Sequence, residues 1–283
     1  MIVRFAGVTA AVFFAWAGVA LASGTPLAGD TSARPAQPPI HAVCDGSLKS
    51  LANTSHARMN ACTVRRGQIV IESMYYQNAS KVGGTALAAY PEITFRIGLT
   101  PRLELFVDAP SDVAKSGNNG LGVFYFTHPG FGLKAQLSSS NTFVSSVAFE
   151  TSPQLHALAH LSLVPVADAT FTGSWMPRRS NLVISAQAGA FWFRQRGMGH
   201  AQRTAATFAV GITAPVLKKT WVTLLFRSFS IAAMNSSAQS SGTLSVQHEI
   251  GRSVLANIQL GTAFNAAGHS KAHYLGVGFT IRR

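Results

Sequence analysis

From Gly67 to the C-terminus, apolar and polar residues alternate in short runs. Ile93, Phe95, Ile97 and Leu99 stand against Glu92, Thr94, Arg96 and Gly98, the period of two that sends successive side chains to opposite faces of a strand. Leu244, Val246 and Ile250 likewise oppose Ser245, Gln247 and Glu249, and Val254, Ile258 and Leu260 oppose Asn257, Gln259 and Gly261. Near the end, Leu275, Val277, Phe279 and Ile281 oppose Tyr274, Gly276, Gly278 and Thr280. Clusters of Gly, Pro, Asn and Ser punctuate the runs. They predict about twelve strands, over Gly67–Asn78, Leu87–Leu99, Arg102–Ala109, Gly130–Leu137, Thr142–Thr151, Val166–Met176, Leu182–Phe193, Arg203–Ala214, Thr220–Ala232, Gly242–Ile250, Ser253–Asn265 and Ala272–Ile281.

The connections alternate too. Short ones fall at Thr100-Pro101, Ser138–Asn141, Pro177–Ser180, Pro215–Lys219 and Gly251-Arg252. Longer ones lie between them, at Ala79–Ala86, Pro110–Pro129, Ser152–Pro165, Arg194–Gln202, Met234–Ser241 and Ala266–Lys271. Outer-membrane barrels join their strands in this way, with short periplasmic turns and longer external loops. The fold expected is therefore an all-β, antiparallel up-and-down transmembrane barrel. An even strand count brings both ends of the barrel to the periplasmic rim, which places Trp175 and Trp221 in one aromatic girdle and Tyr75, Tyr90, Trp192 and Phe193 in the other.

Composition favours the same fold. Hydrophobic residues make up 47% of the chain and charged residues only 12%, too little charge for a soluble surface. Beyond Ser23 no apolar run approaches the ~20 residues of a membrane helix. A barrel reconciles the two, because apolar residues facing lipid alternate with polar residues facing a lumen. A soluble periplasmic β-sandwich is the alternative.

The N-terminal part reads differently. Arg4, the apolar run Ala6–Ala22 and the small residues of Ala20-Leu21-Ala22 form a secretory signal peptide over residues 1–22, so the mature chain is exported. Residues 23–42 read as a flexible leader, residues 43–66 as a closed N-terminal segment, and 67–283 as the barrel. Cys44 and Cys62, the only cysteines, share an oxidising compartment and are expected to pair. Between them Leu48, Leu51, Ala52 and Met59 have loosely helical spacing. The segment is then a plug, a periplasmic cap, or an ordered tail with no part in transport.

The net charge of +13 is spread over turns and ends and is not gathered with aromatic residues on one module, which argues against nucleic-acid binding. In the barrel topology Arg65, Arg66, Arg102, Arg178, Arg179, Lys218, Lys219, Arg252, Arg282 and Arg283 share the periplasmic rim. They read either as contacts to anionic lipid or as solvated turn charges. The alternation directs a second set inward: Glu72, Glu92, Arg96, Arg102, Glu104, Lys134, Glu150, Arg227 and Glu249. Both signs occur, which suits either a polar conduit or a network that fills a closed barrel.

No G-x-S-x-G, Walker A or H-E-x-x-H motif is present. His160-Leu161-Ser162 matches the start of the outer-membrane phospholipase motif, but Leu163-Val164 replaces the Asn-Gly that should follow and orient the histidine. His156 and His160 would share a metal only on a helix, and Pro153 and Pro165 bracket a segment with no strong helical pattern. Gly117–Gly122 makes a loop tip with no helix behind it to cradle a phosphate. No catalytic residue, metal or cofactor is expected.

The segment Gly98-Leu99-Thr100-Pro101-Arg102-Leu103-Glu104-Leu105 resembles the short turn and following strand of the outer-membrane family named for the meta pathway of phenol degradation. Gly132-Leu133-Lys134 is similar to a later strand of that family. The resemblance implies a transporter-like barrel admitting small, often hydrophobic or aromatic, compounds, and it assigns no substrate residues. The chain departs from outer-membrane barrels generally in ending Phe279-Thr280-Ile281-Arg282-Arg283, where an aromatic residue commonly comes last. The expected function is a pore or transporter, with outer-membrane lipid, the barrel assembly machinery and a small-molecule solute as partners. A phospholipase-type hydrolase and a structural barrel are the alternatives.

Overall fold

The computed structural model describes residues 43–52, 59–80, 86–109, 112–116, 122–126, 129–151, 163–178, 180–195, 202–231, 239–264 and 270–283. The signal peptide and leader read from the sequence lie outside these residues. The strands are β1 (Ile69–Ser80), β2 (Ala86–Thr100), β3 (Leu103–Asp108), β4 (Asp112–Ser116), β5 (Gly122–Phe126), β6 (Gly130–Ser139) and β7 (Phe143–Thr151). They continue as β8 (Leu163–Trp175), β9 (Val183–Gln195), β10 (Gln202–Leu217), β11 (Thr220–Ile231), β12 (Gln239–Gly251), β13 (Val254–Phe264) and β14 (Ser270–Arg282).

All the pairings between strands are antiparallel, and the first strand pairs with the last, from Val70 opposite Arg282 to Ser80 opposite Ala272. The sheet is therefore a closed barrel. It has twelve walls, because two of them are interrupted. β2 pairs with β3 along one half and with β4 along the other, while β6 continues the ladder from β3 and β5 continues it from β4. The stretch from Pro110 to Pro129, expected to be an external loop, thus contains two short strands. Val123-Phe124-Tyr125-Phe126 has strong strand character, and the breaks fall near Pro110 and Pro129, which cannot donate to a ladder.

Side chains separate by face as the alternation requires. Phe95, Leu99, Leu244, Val246, Ile258, Leu260, Leu275, Val277, Phe279 and Ile281 are exposed on the outside. Arg96, Ser245, Gln247, Asn257, Gln259 and Thr280, their neighbours in sequence, are buried. Trp175 is exposed and fits an outer girdle. Trp221 does not, because on β11 it shares the inward parity of the buried Thr223 and Leu225, and it packs against Leu48 and Ala52.

Candidate functional site

The barrel's interior is occupied near the rim that carries the strand termini. Residues 43–52 and 59–64 include the helical turn Leu48–Leu51, which Ser47 caps by accepting the Ser50 amide at 3.3 Å. Cys44 and Cys62 are disulfide-bonded, with their Cα atoms 5.6 Å apart. This segment packs at once against Val70 on β1 and Val144 on β7, against Ala209 on β10 and Leu225 on β11, and against Leu255 on β13. Only an occupant of the lumen can touch walls so far apart around the ring. Of the three roles left open by the sequence, a plug is the one this position fits.

Four charged side chains of alternating sign clamp the plug from one side. They sit on neighbouring walls: Glu72 on β1, Arg96 on β2, Glu104 on β3 and Lys134 on β6. Arg96 donates to Glu104 through Nε at 2.6 Å and through Nη2 at 3.0 Å, and to Glu72 through Nη1 at 3.0 Å. It also donates to the Leu51 carbonyl, and at 3.3 Å to that of Cys62. Lys134 donates to the Asn60 carbonyl, and at 2.7 Å to that of Cys62. Glu104 in turn accepts the Val64 amide at 2.8 Å. Every one of these plug contacts is to backbone. The two cations and two carboxylates balance in charge, and the plug's carbonyls take up N–H groups that do not point at a carboxylate, as buried charge requires.

The plug leaves the lumen over Gly98. Gly67 donates to the Gly98 carbonyl at 2.9 Å and Gly98 to that of Gln68 at 3.1 Å, and a Cβ at Gly98 would overlap the Arg65 backbone. Only glycine lets the chain cross β2 this closely. The resemblance drawn from the sequence begins at this residue.

Across from these charges, on the opposite wall, the plug meets hydroxyls and amides. Ser174 and Ser185 are hydrogen-bonded at 2.8 Å, Thr213 and Thr223 at 2.9 Å, and Ser245 donates to Asn257 at 2.7 Å. Between this wall and the plug lies a cavity of about 60 Å³ bordered by Lys49, Asn60, Thr213 and Gln247 among others, enough for a few waters. The Gln247 side-chain nitrogen faces no protein partner among the described residues. Lys49 stands 5.3 Å from the centre of the Trp221 ring. Burial lowers the Lys49 amine below its ordinary range, partly offset by Asp45. For Asp45 itself, desolvation is outweighed by hydrogen bonds from Ser47 and Ser50 and by Lys49, and its carboxyl lies below the usual range.

The remaining inward candidates are dispersed. Glu150 is half-buried on β7 near Gly130, and Arg227 is half-buried on β11. Glu249 is half-buried at the rim end of β12. Arg102 was expected in the lumen, but the two-residue turn after β2 carries it past the strand, where it is exposed. The Glu92 side chain, His156 and His160–Ser162 lie outside the described residues. The sequence reading missed Asn60, whose amide nitrogen donates to the Ser50 and Ala52 carbonyls and whose side-chain oxygen accepts the Cys62 amide at 2.8 Å. An Asn two residues before a cysteine was the available signal, since Asn bonds its own backbone two residues on.

No family model matches the chain, and neither does any curated protein. Solved structures do. The COG4313 outer membrane channel from Pseudomonas putida F1 superposes with a TM-score of 0.60 at 10% identity, covering 82% of this chain and 100% of that one. The NanC porin superposes with a TM-score of 0.52 at 6% identity, covering 75% of this chain and 98% of that one. At such identity the likeness is one of fold, and it is the fold of outer-membrane barrels.

Proposed function

We propose that this protein is a bacterial outer-membrane pore for small molecules, held closed by its own N-terminal segment. The observation that carries the reading is a barrel of channel-like fold whose lumen charges bind the backbone of residues 51–64. Backbone acceptors are a reversible choice. When the plug leaves, water replaces each carbonyl, so the net strength of each contact is about 1.5–3 kcal/mol for a charged donor. The plug is thus held firmly by many bonds, and those made by Arg96, Glu104 and Lys134 need no specific side chain on the plug.

The solute class we propose is small and hydrophobic or aromatic. It rests on the resemblance of Gly98–Leu105 and Gly132–Lys134 to the family named for the meta pathway of phenol degradation, to which we assign the chain. The superposition on an outer membrane channel supports a pore over a hydrolase.

The test is conductance in planar bilayers. Protein lacking residues 43–63 should pass several-fold more current than the full chain and should admit a small aromatic probe into vesicles faster. Equal, near-zero conductance of both would overturn the pore reading.

A further inference from the structure

We propose that the rim carrying both ends of the barrel is a binding surface for the phosphate headgroups of anionic phospholipid. The inference rests on the membrane-barrel reading and adds a specific ligand to it.

The short turns of this rim are built alike. Leu99 precedes Arg102, Trp175 precedes Arg178, Leu217 precedes Lys218-Lys219, and Ile250 precedes Arg252. In each case the apolar residue is exposed on the barrel's outside, Leu217 at 72% and Ile250 at 61%, and the basic residues that follow are exposed as well. The chain ends repeat the pattern, with Ile69 after Arg66 and Ile281 before Arg283. Of the turns between described strands at this rim, the one at Ser140-Asn141 is without a cation. Going round the barrel, a belt of apolar side chains therefore gives way within one to three residues to a ring of cations. That order, acyl chains and then phosphates, is the order found in a bilayer leaflet.

The cations of this ring have no competing duty. Arg66, Arg102, Arg178, Lys218, Lys219, Arg252 and Arg283 have no ion-pair partner among the described residues. Arg65 and Arg282 differ, since they donate to the Asp45 and Gly46 carbonyls and so help hold the plug. The acidic residues described at this rim are Asp45 and Glu249, too few to neutralise the ring.

The turn between β10 and β11 shows the same emphasis on charge. Leu217 pairs with Thr220, so Lys218 and Lys219 are the two residues of the turn itself. Lys219 sits at a backbone φ of 66°, the left-handed region that a side chain disfavours and that hairpin turns usually give to Gly or Asn. A lysine thus stands where the backbone alone would favour glycine, and a phosphate contact gives its charge a use there.

The test uses the full chain in neutral detergent micelles, with lipids retained on the protein counted by native mass spectrometry. The wild type should retain phosphatidylglycerol at least tenfold over phosphatidylcholine, and millimolar inorganic phosphate should not displace it. Charge reversal as R178E/K218E/K219E/R252E should abolish the preference, and K219G, which relieves the turn, should weaken it while leaving the barrel at least as stable. Heat-modifiable gel migration confirms that each variant is a closed barrel, and R178Q/K218Q/K219Q/R252Q serves if the reversal does not fold. Equal retention of the two lipids by the wild type, or undiminished phosphatidylglycerol on the folded variants, would overturn the proposal. So would a stronger preference for lipopolysaccharide that the same variants remove. Plug conductance is untouched by these substitutions, so this test and that of the pore fail separately.

Discussion

Arg96 and Glu104 face each other on adjacent strands with Nε and Oε1 2.6 Å apart and both side chains 1% exposed. Glu104 also accepts the Val64 amide, so one carboxylate joins wall to plug. Glu104→Ala would leave Arg96 short of an anion and Val64 short of an acceptor. Removing one partner of a buried pair costs about 3–5 kcal/mol. The expected outcome is a lower unfolding midpoint together with raised bilayer conductance. Unchanged values of both would show that the pair does not hold the plug.

The disulfide should matter for the plug and not for the wall. Its 18-residue separation corresponds on the chain-entropy model to roughly 3 kcal/mol of stabilisation. The double variant Cys44→Ser/Cys62→Ser should therefore be cut by protease between residues 43 and 64 much faster than the oxidised wild type. The barrel strands should resist equally in both, as read by the fragment masses.

Two glycines of similar appearance should respond in opposite ways. Gly98→Ala drives a Cβ into the crossing backbone, an overpacking that costs about 1–3 kcal/mol, and should lower the urea midpoint. Gly242→Ala meets nothing within 4 Å and should be neutral or slightly stabilising. Equal shifts would mean that the plug does not cross β2 at Gly98.

Acid should loosen the plug's first residues. The Asp45 carboxyl is held below its unfolded value, so its contribution is present above the usual carboxylate range and is lost as pH falls through the lowered folded value. Pepsin sensitivity of residues 43–52, measured against an unfolded reference substrate at each pH, should thus rise only as pH falls below the usual carboxylate range, and Asp45→Asn should remove that dependence. A variant with the wild-type profile would show that another group governs the acid response.

The wall was legible in the sequence because a strand's two faces are written into every second residue. Phe95 beside Arg96 and Leu260 beside Gln259 declared outside and inside before any pairing was known. The occupant of the lumen was not legible. Alternation says that Arg96 and Lys134 point inward, but their partners on the plug are backbone carbonyls of Leu51, Asn60 and Cys62, and a carbonyl has no residue type to recognise. Trp221 misled for the same reason, since its place at a strand end suggested a girdle and only the plug explains its inward turn. The hairpin of β4 and β5 was hidden by the prolines that flank it.

Barrel closure has a consequence for how the molecule comes into being. Val70 pairs on one side with Arg96 and on the other with Arg282, the second nearly the whole described chain away, whereas Cys44 finds Cys62 close by. Local links form early and distant ones late, because the longer loop must be closed first. The stopper is thus covalently shaped before the bottle has a neck. Joining the last strand to the first then encloses a stretch of chain that is already shaped, so the barrel closes with its lumen occupied.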